Sequence, residues 1–241
     1  MSKEAFRFAY LQEPPFCFTA ADGLVGGCDV ELARHVVEEL GLGRFEPIEA
    51  NFAELLPGLA DRRWQMTTGL FITQARRRSV RFSRPIWALH DGLMVVAGNP
   101  KDLNGYRSLA ADPSARLAVI AGQVQHETAL ALGVPSGRIA VFSTQEEAAQ
   151  AVGRGEVDAY ASVAAAHRGY IDRQLSRTLD VVDVPVGERE PALGAFAFAI
   201  EADAIRQAVD TVLEGFLGSP AHRQGMQRYG FGTAEVDRVA G

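Results

Sequence analysis

Two periodicities of apolar and polar residues follow one another along this chain. Positions alternate from Phe6 to Tyr10 as in a strand, and from Val30 to Leu40 apolar residues recur at helical spacing before Gly41. Phe45 to Ala50 is again strand-like, and Leu117 to Ile120 begins a second series of the same kind. Strands that alternate with helices predict an α/β fold of mostly parallel sheets flanked by helices.

A hairpin is predicted between the first strand and the first helix. Asp22-Gly23 is a typical two-residue hairpin turn, and a turn at that position pairs Cys17 directly with Cys28. Two alternatives are open for these cysteines, a disulfide or two buried thiols. Asp29, which follows the hairpin, has the residue type of a helix N-cap.

The segment from Gly69 to Arg76 carries the clearest chemistry. The pattern predicts a strand end at Gly69 and places Arg76 in the first turn of a helix, where free backbone N–H groups favour an anion. A guanidinium adds a planar fork of donors that suits a carboxylate. Phe71 lies between Gly69 and Arg76. The segment therefore predicts a ligand that has a carboxylate at one end and lies beside an aromatic side chain of the protein.

A second helix start bears on the same ligand. Gln123-Val124 lies at a predicted strand-to-helix turn, where backbone N–H groups could meet an anion, although ordinary helix starts have the same pattern. Thr144 and Glu147 form a capping box that predicts the next helix. Trp87 and Tyr160 are interpreted as core residues.

Composition excludes several classes of function. The chain has 241 residues and a formal net charge of -6, which argues against a nucleic-acid partner. No apolar segment approaches the roughly 20 residues that span a bilayer. Residues 1–5 lack the features of a secretion signal, so the protein is cytoplasmic or the sequence begins after its signal. The five histidines show no metal spacing, and no cofactor is expected.

Three motifs in chain order resemble one family, the bacterial solute-binding proteins of the polar amino acid type. The first motif is the hairpin, the second surrounds Arg76, and the third follows a predicted helix. Their residues are Pro15-Phe16-Cys17-Phe18, Asp22-Gly23 and Gly27-Cys28-Asp29-Val30; Gly69, Ile72, Thr73, Arg76, Phe82, Ser83 and Pro85; and Gly155-Glu156-Val157-Asp158-Ala159. The resemblance covers nearly the whole chain.

The resemblance implies a periplasmic-binding-protein-like fold with two lobes joined by two crossing strands. Residues 1–97 with 194–241 would form the first lobe and residues 98–193 the second, with the ligand in the cleft between them and closure by a hinge motion. It also implies a monomer that is not an enzyme. Its partners would be a small zwitterion and the membrane permease of an ABC importer, and its location periplasmic or extracellular if a signal was removed.

One branch of the family, the ectoine- and hydroxyectoine-binding proteins, resembles this chain more closely. The segments concerned are Glu13-Pro14-Pro15-Phe16, Gly69-Leu70-Phe71-Ile72-Thr73, Asn99-Pro100-Lys101, Asp112-Pro113-Ser114-Ala115-Arg116-Leu117-Ala118-Val119, Ala121-Gly122 and Gly133-Val134-Pro135.

That branch implies a role for each candidate residue. Arg76 would clamp the ligand carboxylate, with Thr68 and Gly69 adding polar backbone groups and Gln123 and Val124 contributing from the second lobe. Glu13 would accept hydrogen bonds from the ring amidinium; the alternative is a solvated loop carboxylate. The aromatic cage would consist of Phe16, Phe52 and Phe71, which are otherwise three core phenylalanines.

Val163 separates the alternatives within the family. Typical amino-acid binders carry an aspartate at this position, five residues after the aspartate that corresponds to Asp158, and it holds the ligand ammonium. A buried, unpaired ammonium is costly, so valine favours another type of cation. A polar amino-acid binder with an acid elsewhere, a dehydratase resembling cyclohexadienyl dehydratase with Glu13 as its acid, and a receptor's sensing domain are the alternatives.

Overall fold

The structure is a computed structural model that describes residues 5–174 and 178–240. It divides into two compact units, one of residues 5–88 and 192–240 and the other of Leu89–Pro191. Residues 1–4, which bear on the signal prediction, lie outside the described ranges. The sequence pattern also predicts a helix from Ala164 to Leu175, and its last residue lies outside them as well.

The described elements alternate as the sequence pattern predicts. The strands are β1 (Ala5–Tyr10), β2 (Phe18–Thr19), β3 (Val25–Gly26), β4 (Arg44–Glu49), β5 (Met66–Thr67), β6 (Leu70–Phe71), β7 (Val80–Phe82), β8 (Trp87–Leu89), β9 (Asp91–Val96), β10 (Leu117–Ile120), β11 (Ile139–Phe142), β12 (Ala159–Val163), β13 (Leu179–Asp183), β14 (Ala192–Ala195) and β15 (Ala197–Ala199). The helices are α1 (Cys28–Glu39), α2 (Leu55–Ala60), α3 (Tyr106–Ala111), α4 (Val124–Ala131), α5 (Gln145–Gly153), α6 (Ala164–Asp172), α7 (Asp203–Phe216), α8 (Pro220–Arg228) and α9 (Thr233–Asp237).

The first unit is built on a parallel sheet with the strand order β4-β1-β5. A second sheet has the order β6-β14-β8, and β7 pairs with β15. The core between these elements and α2 is apolar; its centre includes Trp64, whose indole N–H donates to the carbonyl of Leu55 at 3.0 Å. Residues 68 to 87, which link β5, β6 and β8, therefore lie together in the first unit.

The hairpin register differs from the prediction by one residue. Phe18 pairs with Gly26 and Thr19 with Val25, so the loop between Ala20 and Leu24 has three residues instead of two. Gly23 adopts a φ of 82°, which suits the left-handed position that closes a three-residue loop. This register does not place Cys17 opposite Cys28.

The second unit contains a five-stranded sheet with the order β11-β10-β12-β9-β13. Strands β10, β11 and β12 are parallel, whereas β9 runs antiparallel to both its neighbours. Because β9 pairs there, the unit begins at Leu89, whereas the sequence placed the first lobe boundary at 97/98. The second boundary falls at 191/192, not 193/194, because Ala192 begins β14 of the first unit.

Helix starts in the second unit follow the sequence closely. The predicted capping box is present, since the Thr144 hydroxyl accepts from the N–H of Glu147 and the Glu147 carboxylate accepts from the N–H of Thr144, both at 3.2 Å. α4 begins at Val124 directly after the β10 turn, as predicted. No helix in the described ranges is long and apolar enough to cross a membrane.

A buried histidine in this unit predicts an acid-sensitive fold. His167 of α6 is fully buried, and burial lowers its pKa from 6.5 to about 3. The unfolded chain binds a proton near pH 6.5, whereas the folded chain does not, so stability falls as pH drops below that value by up to about 1.4 kcal/mol per pH unit. The expected result is that His167→Gln loses this part of the pH dependence, measured by urea unfolding from neutral to acidic pH.

The control is His126→Gln, a histidine on α4 in the same unit. It is expected to leave the pH dependence of unfolding close to that of the parent chain. An unchanged acid sensitivity in His167→Gln would contradict the prediction.

Candidate ligand-binding site

Arg76 contacts two of the other first-unit candidates, Phe71 and Phe52. It is 9% exposed, its Nη1 donates to the carbonyl oxygen of Phe71 at 2.9 Å, and its guanidinium lies 5.3 Å from the ring centre of Phe52. The predicted helix around it is wrong, because residues Arg76–Arg78 form only a single 3-10 turn. The N-terminal argument for an anion therefore has no basis here, and the held guanidinium is what remains.

Phe71 and Phe16 meet through a third aromatic ring. Phe71 is 8% exposed and lies edge-on to Trp87 at 5.4 Å between ring centres, while Phe16 lies 5.8 Å from the same indole. Phe16 also contacts Phe231 at 5.8 Å. The two phenylalanines are thus members of a packed cluster, and Trp87 joins them.

Two glycines make room for that indole. A Cβ at Gly69 would lie 2.7 Å from the Trp87 ring, and one at Gly194 would lie 1.9 Å from it. Neither contact is tolerable, so neither position can carry a side chain. The Trp87 ring is buried, as the sequence predicts. Its indole N–H also donates a hydrogen bond, which the sequence pattern does not predict.

The Trp87 indole N–H donates a hydrogen bond to Asp29. The N-cap role predicted for Asp29 is wrong. Asp29 is not the N-cap of α1; Gly27 holds that position, and the N–H groups of Cys28 and Asp29 donate to the carbonyls of Pro15 and Phe16 at 3.0 Å each. Because the hairpin backbone satisfies the helix start, no side-chain cap is required.

The Asp29 carboxylate turns inward instead and is 2% exposed. It accepts hydrogen bonds from the Thr68 hydroxyl at 2.7 Å, the Gly69 N–H at 2.8 Å and the Trp87 indole N–H at 3.2 Å. Burial raises the pKa of Asp29, and these hydrogen bonds oppose the shift. Asp29 thereby fixes the backbone that leads into Phe71.

These bonds change the expectation for Thr68 and Gly69. The N–H of Thr68 donates to the carbonyl of Ala9 at 2.8 Å, and that of Gly69 to Asp29. Both predicted ligand donors are already used within the unit. The two residues therefore help to fix the backbone at the start of β6.

The two cysteines are free thiols, so of the two alternatives the buried thiols are correct. Cys17 Sγ lies 3.1 Å from the Thr68 hydroxyl, and Cys28 Sγ donates to Asp29 at 3.7 Å. Burial first, and the Asp29 charge second, raise the pKa of each thiol well above its usual value. Both thiols therefore stay protonated and unreactive.

Glu13 and Phe52 occupy half-buried positions in the first unit. Backbone bonds enclose the two prolines after Glu13: its N–H donates to the carbonyl of Cys17 at 2.9 Å and its carbonyl accepts from Phe16 at 3.1 Å. The structure thus fixes the backbone of Glu13, and it places Phe52 beneath Arg76.

The second-unit candidates lie at the start of α4. Gln123 precedes the helix in extended conformation, its N–H donates to the carbonyl of Ile120 at 3.1 Å, and its side-chain oxygen accepts from the Ser162 hydroxyl at 3.4 Å. The predicted donor role of the Gln123 N–H is therefore taken by the turn itself. Val124 is the first helical residue.

Val163 lies opposite a buried aspartate to which the sequence pattern assigns no role. In the β12–β9 pair Val163 is directly opposite Asp91. The Asp91 carboxylate accepts from the Tyr106 hydroxyl at 2.7 Å and from Gln125 Nε2 at 3.0 Å, and it is 1% exposed. This acid is enclosed by its own unit.

Several residues of the ectoine-like segments have structural roles. Asn99 holds a turn through two bonds with the backbone of Leu103. Lys101 Nζ lies 3.0 Å from both the Ser114 hydroxyl and the Asp158 carboxylate. Asp158 also accepts from the Arg116 N–H at 2.7 Å. These residues stabilise turns and loops of the second unit.

A family model describing bacterial extracellular solute-binding proteins, family 3, matches residues 6–232. The chain belongs to this family. Family 3 solute-binding proteins of ABC transporters bind small ligands and deliver them to a membrane permease, and in such importers they are periplasmic.

Two further likenesses support the assignment to family 3. A Sinorhizobium fredii (strain NBRC 101917 / NGR234) protein named "Probable amino-acid ABC transporter periplasmic-binding protein y4tE" is 29% identical over 234 residues, which cover 92% of this chain and 76% of that protein. The crystal structure of EhuB in complex with hydroxyectoine has a TM-score of 0.86 at 25% identity, covering 98% of this chain and 94% of that chain.

The fold is shared more widely in the family. The P235GK mutant of ArgBP from T. maritima has a TM-score of 0.82 at 21% identity, covering 93% of this chain and 94% of that one. These structures confirm the two-lobe periplasmic-binding-protein fold that the motifs predict. Within the described ranges no group of three histidine, cysteine or acidic residues could hold a metal ion.

Proposed function

We propose that this protein is the substrate-binding component of an ABC importer for a small zwitterion with a ring-delocalised cation, such as ectoine or hydroxyectoine. The observation that carries the proposal is Arg76, whose guanidinium is held between the Phe52 ring and the Phe71 carbonyl. A buried, oriented fork of this kind matches the two oxygens of a carboxylate. The likeness to EhuB supports the same ligand class.

The cation of the ligand is assigned to aromatic surfaces and Glu13. Phe71 lies beside the arginine and is backed by Trp87, so its ring is fixed in place. A delocalised cation on such a face is stabilised by up to about 2 kcal/mol when water is excluded. Gln123 and Val124 are the contacts that we assign to the second unit.

Valine at position 163 favours this ligand over an ordinary amino acid. The carboxylate opposite Val163, that of Asp91, is enclosed by Tyr106 and Gln125. An α-ammonium group at Val163 would face an apolar side chain and would be desolvated without a charge partner. A polar amino acid is the second candidate, favoured by the name of the Sinorhizobium relative. The proposal assigns no catalytic step.

Calorimetry with ectoine, hydroxyectoine and a panel that includes arginine, glutamine and glutamate tests the proposal. The expected result is saturable binding of the ectoines and none of the amino acids. Binding of an amino acid without a response to either ectoine would establish the second candidate in its place.

Replacing Phe71 with leucine tests the aromatic contact. The variant keeps an apolar side chain but removes the π-face, so ectoine affinity is expected to fall by up to about 30-fold, equivalent to ~2 kcal/mol. Phe45→Leu is the matched control, because Phe45 is a phenylalanine of the same unit whose ring also packs against another aromatic ring, that of Phe8, at 5.6 Å. An equal loss of ectoine affinity in both variants would contradict the assigned role of Phe71.

A further inference from the structure

Asp91 stands at the point in the second unit where three segments meet. One carboxylate oxygen accepts from Gln125 Nε2 at 3.0 Å, in the first turn of α4. The other accepts from the hydroxyl of Tyr106 at 2.7 Å, in the first turn of α3. The backbone carbonyl of Asp91 accepts from the N–H of Val184 at 3.0 Å, just after β13. Three different segments thus donate a hydrogen bond to this residue.

Arg189 adds a charge to the same cluster. Its Nε lies 3.9 Å from the Asp91 carboxylate, is buried, and has no hydrogen-bond partner among the described residues. Its neighbour Glu188 accepts from the N–H of Arg107 at 3.2 Å, which ties the segment to the start of α3. A buried arginine nitrogen is stabilised chiefly by the charge it approaches. Removing that charge takes away the charge partner of the buried Nε.

The positions of these residues in the chain give the cluster its significance. The chain enters the second unit at Leu89 and leaves it at Pro191. Asp91 lies just after the first connection and Arg189 just before the second, and Gln125 follows the two residues assigned to the ligand. One carboxylate therefore joins the start of α4 to both connections.

We propose that Asp91 is a positioning residue that holds the start of α4 and the two chain connections of the second unit as one rigid body. Through Gln125 it sets where Gln123 and Val124 stand, and through Arg189 it holds the segment that leaves the unit. The role in ligand binding rests on the proposed function, whereas the rigid body itself does not.

Hydrogen exchange of the ligand-free protein tests the rigid body. Gln125→Leu is expected to speed exchange about tenfold in the amides of α4 and to leave those of Glu188 and Arg189 unchanged, since one hydrogen bond to a charged group is lost. Arg189→Met is expected to have the reverse effect. Asp91→Asn, which replaces the charge and puts a donor among donors, is expected to speed both sets.

The matched control is Asp183→Asn, an aspartate of the same unit that pairs with Arg168 at the surface. It is expected to change neither set. A uniform rise across the second unit, or no rise in either set, would overturn the proposal. If Asp91→Asn does not fold, the opposite local patterns of the Gln125 and Arg189 variants still decide it.

Calorimetry with ectoine supplies the second readout. Where the parent chain binds ectoine, Asp91→Asn is expected to bind it about tenfold more weakly at unchanged stoichiometry, and Asp183→Asn to bind it normally. Unchanged affinity in Asp91→Asn would overturn the link to the ligand. If the parent chain does not bind ectoine, the proposed function fails, and the exchange pattern continues to test Asp91 independently.

Discussion

Replacing Arg76 with methionine is expected to remove ectoine binding almost completely. Arg76 is 9% exposed, and its guanidinium is already oriented by the Phe71 carbonyl and the Phe52 ring, so little conformational freedom is lost when a carboxylate binds. Truncating one member of a buried, hydrogen-bonded charge pair costs about 2–5 kcal/mol, which corresponds to a loss of roughly 30-fold to several thousandfold. Calorimetry with ectoine measures the effect.

Two further arginine variants define the cause. Arg76→Lys keeps the charge and loses the planar fork, so an intermediate loss of affinity is expected. Arg77→Met is the matched control, because Arg77 is the next residue in the chain, exposed, and 6.0 Å from the Phe82 ring. Wild-type affinity in Arg76→Met, or equal losses at positions 76 and 77, would refute the clamp.

Replacing Asp29 with alanine is expected to lower the free energy of unfolding by about 3–5 kcal/mol, since a truncated partner leaves buried groups unpaired. The raised pKa of Asp29 shows that burying this carboxylate is itself costly. Deleting it nevertheless destabilises the fold, because the Gly69 N–H, the Trp87 indole N–H and the Thr68 hydroxyl then lose their acceptor. Urea unfolding followed by circular dichroism measures the change.

Two aspartate variants bracket this prediction. Asp29→Asn retains the shape and part of the acceptor capacity, so a smaller loss of stability is expected. Asp22→Ala at the hairpin tip removes an exposed carboxylate that accepts from the nearby Leu24 N–H at 3.0 Å, and it is expected to change stability little. A loss of stability in Asp22→Ala as large as that in Asp29→Ala would contradict the assignment.

The pH dependence of Asp29 provides an independent check. Because the folded pKa lies above the unfolded one, the folded chain binds more protons in the window between them, and this residue's contribution to stability grows as pH falls through that window. The difference in stability between the parent chain and Asp29→Asn is therefore expected to increase on acidification.

Local patterns were enough to predict most of the helices and strands and to single out Arg76. The capping box at Thr144, the α4 start at Val124 and the strand β1 all follow from residues that interact with near neighbours in the chain. The motif around Arg76 likewise indicated a solute-binding protein of this family, which the family match confirms. A single sequence is enough to predict such features because they depend on residues that are near one another in the chain.

The partners of buried polar groups depended on the tertiary structure. Asp29 has the residue type of an N-cap, yet carbonyls of the hairpin satisfy the helix start and leave its carboxylate for Thr68, Gly69 and Trp87. The hairpin register shifted because Gly23 permits a three-residue loop. For Asp29 a contact between distant residues decided the outcome, and for the hairpin the conformation of the loop decided it.

By itself the sequence determined the α/β class and the family, and it singled out Arg76 as a candidate site residue. These conclusions rest on periodicity and on short motifs. Only the tertiary structure decided that Trp87 joins Phe16 to Phe71, that the cysteines stay apart as thiols, and that Asp91 stands opposite Val163. Strand order and register bring together residues that are far apart in the chain, and a desolvated polar group takes whichever partner that packing supplies.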